Sequence, residues 1–205
     1  MLLLLAMLVG AIVPVQTAIN TRLRQSVGSP IGASFVSFVV AVAVASALAF
    51  VSTGVLIPDL AVPAREPWWI WLGGFMGVLF IAGNIVLFPK LGAVQTVILP
   101  ILGQVIMGLG IDRFGLFQSP RVPVGALRLA GAAIVVLGIA MVLEIPRRHG
   151  AAGSATGAGL WLLRGVGVLM GMGSAIQTAV NGRLGSALGS PVQASQISLT
   201  VGVLV

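Results

Sequence analysis

One stretch of this chain occurs twice. Gly10 to Val44 recurs as Gly171 to Val205 at a constant offset of 161 residues, with no gap. Gln16-Thr17-Ala18 matches Gln177-Thr178-Ala179, and Asn20 matches Asn181. Arg22-Leu23 matches Arg183-Leu184, and Gly28-Ser29-Pro30 matches Gly189-Ser190-Pro191. Both copies lie in apolar sequence of membrane-spanning length. A unit duplicated inside such sequence is the pattern of transport proteins built from internal repeats, and it restricts the fold to two related sets of packed helices.

Composition agrees with a bilayer as the solvent. The chain is 58% hydrophobic and 7% charged, against about 25% charged residues in soluble domains. With no cysteine, disulfides, thiolate zinc sites and cysteine nucleophiles are excluded, and the single histidine, His149, gives no basis for a metal site or catalytic triad. The net charge of +7 comes from basic residues scattered singly between apolar runs. Nucleic-acid binding needs a basic patch with interleaved aromatics, so these charges read instead as topology signals that meet lipid headgroups.

A spanning helix needs about 20 mostly apolar residues at ~1.5 Å each. Spans are expected at Leu2–Thr21, Ile31–Val51, Trp68–Phe88, Leu91–Ile111, Val124–Ile145 and Leu160–Asn181, with a seventh from Pro191. That last segment reaches only ~22 Å by Val205, short of the ~30 Å hydrocarbon core, so the chain is expected to end inside a helix. Gly28-Ser29-Pro30 joins the first two spans, Pro58, Pro63 and Pro67 interrupt the loop after the second, and Pro89-Lys90 reads as a tight hairpin. The start, Met1 to Leu5, lacks the basic region of a signal peptide, and its repeat counterpart sits mid-chain, so it reads as a retained helix.

The domain reading follows from these spans. Residues 1–148 form a first five-span half, residues 149–159 a flexible linker of mostly Gly, Ala, Ser and Thr, and residues 160–205 the start of a second half. An odd-span module followed by its own copy must invert it, which supplies the pseudo-twofold on which alternating access is built. Charges do not fix the orientation: Arg22, Arg24, Lys90, Arg147, Arg148 and Arg164 fall on one side, and Arg65, Arg113, Arg121, Arg128 and Arg183 on the other.

Polar residues within the spans are the candidate functional groups. Gln16 and Asn20 are four apart and share one helix face, and Gln177 with Asn181 repeats the arrangement. Amides in lipid are costly without a partner or water, so these four either line a solute path or glue helices together. Asn84 and Gln104 carry the same two readings. Pro14 is expected to kink the first helix beside Gln16, and its counterpart is Ala175. Ser34 with Ser37, repeated as Ser195 with Ser198, reads as close packing of small residues. Gly73 with Gly77, and Gly167 with Gly171, are GxxxG pairs that let helices approach. Trp68, Trp69 and Trp71 mark an aromatic belt at a span edge.

Carboxylates are sparse and peripheral. Asp59 and Glu66 lie in a loop, and Asp112 and Glu144 at span ends, so none is expected at mid-membrane, where a cation-coupled pump places them. Asp112 beside Arg113 reads as an interfacial ion pair. No phosphate loop or serine–histidine constellation is present, which leaves ATP-driven and hydrolytic chemistry unsupported.

The stretch from Gly73-Gly74 through Asn84, Pro89, Leu91-Gly92, Gly103-Gln104 and Ile111-Asp112-Arg113-Phe114-Gly115 resembles the YdcZ-like (DUF606) family of the drug/metabolite transporter superfamily. So does the opening pattern of Pro14, Gln16 and Asn20, followed by Gly28-Ser29-Pro30 and Ser34-x-x-Ser37-Phe38. The resemblance implies five-span units, found singly, in pairs or fused into ten spans with antiparallel halves. It also implies small-molecule transport, in the direction of export, across the bacterial cytoplasmic membrane. The chain departs from the pattern with Arg113 where a histidine is expected before Phe-Gly. Its first helix offers Gln16 and Asn20 rather than the glutamate of the small multidrug pumps.

The expected protein is thus all-α: a polytopic helical membrane protein with a five-span inverted repeat, its second copy incomplete, in about seven spans. It is expected to act as a non-enzymatic secondary carrier in the inner membrane, with no cofactor or metal and no nucleic-acid partner. Its expected partners are the lipid bilayer, an unidentified small solute, and a second transporter half or another copy of itself. The other reading, a non-transporting membrane subunit or remnant that packs against a partner half, stays open from sequence.

Overall fold

The computed structural model describes residues 2–144 and 157–205. Among the described residues, seven α-helices follow in order: α1 (Leu2–Val27), α2 (Pro30–Thr53), the short α3 (Ala61–Arg65), α4 (Leu72–Phe114), α5 (Ala126–Glu144), α6 (Ala158–Leu188) and α7 (Pro191–Leu204). Short 3-10 turns at Trp68–Trp71 and Leu116–Gln118 flank α4. Of the expected linker 149–159, residues 149–156 lie outside the described residues, and α6 already begins at Ala158.

The repeated Gly-Ser-Pro turn folds the same way twice. Gly28 and Gly189 have φ of 79° and 66°, the left-handed conformation that closes a helix and favours glycine. Ser29 and Ser190 are extended, and their hydroxyls each accept the N–H three residues on, of Gly32 and Gln193, at 3.3 Å. Pro30 and Pro191 then occupy the first helical turn, where a missing N–H is harmless.

A straight helix of the length of α4 would extend roughly 65 Å, twice the hydrocarbon core. Instead it breaks at Gly92, with φ 78° and ψ 169°, into two legs, 72–91 and 93–114. The legs fold side by side, since Gly83 of one packs on Met170 and Pro100 of the other on the adjacent Gly171. The hairpin expected at Pro89-Lys90 is therefore present but turns at Gly92. Pro89 stays helical, because a proline tolerates helical φ whereas the reversal needs a positive φ. Pro14 likewise lies inside α1, which is assigned as helix throughout.

The α6 helix sits against both legs of this hairpin, its most extensive packing. It runs antiparallel to the first leg, with Asn181 over Gly73, Gln177 over Gly77 and Met170 over Gly83. It runs parallel to the second, where Arg164 meets Gln95 and Gln104 meets Ser174. Small residues make this possible. A Cβ on Gly103 would collide with the Val168 carbonyl, one on Gly171 with the Pro100 carbonyl, and one on Gly167 would lie 3.1 Å from Leu99 Cβ. All four glycines of the GxxxG pairs lie where a Cβ would meet a neighbouring helix closely.

The sequence-related helices α2 and α7 run antiparallel. Gln193, at the start of α7, donates to Thr53 at the end of α2 at 3.3 Å, and Gln196 donates to Ser46 at 2.9 Å. Gly202, near the end of α7, packs on Phe38. The two Gly-Ser-Pro turns consequently lie at opposite ends of the bundle. The first is near the α4 hairpin turn, where Arg24 reaches the Ile85 carbonyl at 3.4 Å. The second is at the other end, where Leu188 packs with Ile70 and Trp69. We call these the lower and upper ends.

Among the described residues, four helical stretches are long and apolar enough to cross a membrane: 30–53, 68–114, 126–143 and 158–188. The 68–114 stretch contains both legs of α4, and α7, at 14 residues, is shorter than a full crossing. The α5 helix is almost bare of protein contact, with Leu127 88% and Met141 69% exposed, so lipid is its natural surround. At the upper rim Trp68 is 75% exposed, and Trp69 meets Phe117 edge-on, with ring centroids 5.5 Å apart. This matches an aromatic belt.

Candidate functional site

Halfway along the bundle, α1, both legs of α4 and α6 border a partly open cavity of about 310 Å³. Its wall is formed by Thr17 of α1, Phe80 and Asn84 of the first leg, Thr96, Val97, Pro100, Ile101 and Gln104 of the second, and Ser174 of α6. The hairpin at Gly92 brings Asn84 and Gln104, from separate legs, to the same space. Pro100 lies inside the second leg and removes one helical backbone donor from this wall.

The polar groups here are not equally satisfied. The Thr96 hydroxyl donates to the Gly92 carbonyl at 2.8 Å, and Gln104 Nε2 donates to Ser174 Oγ at 3.1 Å. Asn84 is 6% exposed, and its Oδ1 has no partner. A buried acceptor left unmatched costs about 1–3 kcal/mol, which a donor on a ligand can offset.

Two further pockets share lining residues with the cavity. Upwards, Gln104 is shared with a vestibule of about 340 Å³ lined by Asp112, Ser119 and Thr178. Asp112 pairs there with Arg128 at 2.6 Å, not with its neighbour Arg113 as the sequence suggested. The reason is geometric: successive helical residues point about 100° apart, whereas α5 brings Arg128 alongside. Downwards, a notch of about 20 Å³ between Gln16, Asn20, Asn84 and Ile85 leads towards the lower end.

Comparison with known proteins decides the family. Residues 1–141 and 162–205 match the family described as "Putative inner membrane exporter, YdcZ". The chain belongs to this family. It is a multi-pass inner-membrane protein of the exporter type, in contact with the lipid bilayer. The two matched stretches stop on either side of the segment that contains the expected linker. No match was found among curated proteins or solved structures.

The six polar residues singled out from sequence separate into three situations in this YdcZ-family chain. Asn84 and Gln104 line the cavity. Gln16 and Asn20 border only the lower notch; Gln16 is exposed, and Asn20 is buried and accepts from Ser37 Oγ at 2.8 Å. Gln177 and Asn181 lie on Gly77 and Gly73 at the α4–α6 contact, outside the cavity lining. Ser34, by contrast, only back-bonds to the Pro30 carbonyl at 2.9 Å.

The repeat-related pairs differ in state. Ser37 is bonded to Asn20, but in their counterparts the Ser198 hydroxyl and the Oδ1 of half-buried Asn181 are buried atoms without a partner, both facing Gly73. Sequence reasoning also missed Thr17, Thr96 and Ser174, because hydroxyls in apolar helices ordinarily bond their own backbone and carry no signal. It counted Arg164 among the loop charges, whereas Arg164 lies inside α6 at 5% exposure. Its Nε donates to Gln95 Oε1 at 3.1 Å, and its guanidinium stacks 5.0 Å from the Trp161 ring.

Proposed function

We propose that this chain is a secondary carrier that exports a small molecule through the mid-membrane cavity by alternating access between inverted five-span halves. The observation that carries the reading is the placement of the two identical Gly-Ser-Pro turns at opposite ends of the bundle, on either side of the cavity. Asn84 and Gln104 contact the solute. The Gln104–Ser174 bond is the constriction between cavity and vestibule.

The two serine–asparagine pairs act as gates. The lower pair, Ser37 with Asn20, is bonded, and in the upper pair the Ser198 hydroxyl and Asn181 Oδ1 are unbonded. Exchange of these states between the halves would close the upper end and open the lower. Gln16 then meets the solute in the lower-open state through its notch. Gln177 holds α6 against the first leg of α4.

The test uses purified chain in liposomes loaded with a deproteinised bacterial small-molecule extract, followed by mass spectrometry. A carrier depletes at least one compound faster than protein-free liposomes do, and Asn84→Leu and Gln104→Leu each slow that loss tenfold or more. Gln16→Leu and Gln177→Leu separate path-lining from packing in the same assay. A chain that moves nothing by itself would instead be a subunit that packs against a partner half.

A further inference from the structure

The chemistry of the cavity restricts what can occupy it, given the reading of the cavity as the solute site. Two carboxamides and three hydroxyls supply its polarity, and no ionisable side chain is among the described residues that line it. Three charges near the two ends of the cavity are engaged. Asp112 and Arg128 pair with each other at 2.6 Å in the vestibule, and Arg164 is held by Gln95 and the Trp161 ring below. An ion entering the cavity would lose its hydration and find only neutral dipoles in return, a cost that buried charges escape only through a partner.

Asn84 points to the rest of the ligand. At 6% exposure, with Oδ1 unpartnered, its carboxamide presents a donor and an acceptor side by side. The complementary group is an uncharged edge that also carries one donor and one acceptor. Phe80, Val97, Pro100 and Ile101 make the remaining wall apolar, which suits an apolar body attached to that edge.

We infer that the cavity binds an uncharged amphipathic solute, through an amide-like donor–acceptor edge on Asn84, and rejects cations and anions of the same shape. Three probes of near-equal volume isolate charge from shape: benzamide, benzamidinium and benzoate, neutral, cationic and anionic at pH 7. Binding is measured by isothermal titration with the full chain in lipid nanodiscs. Benzamide should bind saturably, and each ion at least about 100-fold more weakly, the scale set by desolvating an unpaired charge. Asn84→Leu should weaken benzamide about tenfold, with Asn84→Ser as the substitute if the leucine variant loses its helical circular dichroism. Leu48→Ala, on a lipid-facing surface 55% exposed, should change nothing. An ion that binds as well as benzamide overturns the inference and leaves the carrier reading intact. Absence of saturable benzamide binding in folded protein also overturns it, and efflux of the extract then judges the carrier reading separately.

Discussion

Replacing Gly171 with alanine tests the packing on which the cavity depends. A Cβ at this position would lie 2.6 Å from both the Cα and the carbonyl carbon of Pro100, and closer still to the carbonyl oxygen. Carbon atoms pack at about 3.5–4.0 Å, so α6 and the second leg of α4 must part by roughly 1 Å. Neither side has a flexible group that can yield, since both contacts are backbone. Overpacking costs about 1–3 kcal/mol, and rigid backbone places this site near the upper end. Alanine recovers about 0.5–1 kcal/mol of helix propensity over glycine, so the net loss is about 2 kcal/mol. The same separation would stretch the Gln104–Ser174 bond from 3.1 Å past the hydrogen-bonding range. Gly165 is the internal control: it lies on the same helix, and a methyl group there would meet nothing within 4 Å, so Gly165→Ala should gain about 0.5–1 kcal/mol. Unfolding in mixed micelles of rising SDS fraction, followed by far-UV circular dichroism, measures both. Equal stability of the two variants, or a stable Gly171→Ala, would refute the close approach.

Two further variants probe side-chain contacts between elements. Ser37→Ala leaves Asn20 Oδ1 buried without its donor and should cost about 1 kcal/mol; Ser195→Ala, exposed and bonded only to the Pro191 carbonyl at 3.0 Å, should be near neutral in the same titration. Glu66→Gln breaks a two-pronged bridge to Arg183, at 2.9 and 2.7 Å, that ties the upper loop to α6. Because the Arg183 side chain is 34% exposed, solvent screening limits the expected loss to about 1 kcal/mol, and that loss should shrink as salt rises.

Much of this architecture is legible in the sequence because its determinants are local. The Gly-Ser-Pro turn supplies a left-handed glycine, a serine cap and a first-turn proline within three residues, so both copies announce the same joint. Apolar runs of spanning length give the helices. The position of the α4 reversal is less legible, because Pro89 and Gly92 both carry turn signals and only the required positive φ selects between them. The cavity is half legible. Asn84 and Gln104 stand out as amides in apolar sequence, yet nothing local says that they converge across a hairpin while Gln177 and Asn181 pack onto glycines. That distinction depends on the partner surface, Gly73 and Gly77, which belongs to a span about 100 residues away in the chain. Arg164 is misplaced from sequence for the same reason: a charge near a span end usually reaches water, and here Gln95 and Trp161 hold it inside.

The inversion of the two copies is the most direct point to test. The chain has no cysteine, so single cysteines can be placed at the equivalent exposed positions Gln25 and Ser186 and labelled with a membrane-impermeant maleimide. Right-side-out and inverted membrane vesicles present opposite faces to the reagent. Labelling of Gln25→Cys in one preparation and of Ser186→Cys in the other is the expected result. Labelling of both in the same preparation would contradict an inverted repeat.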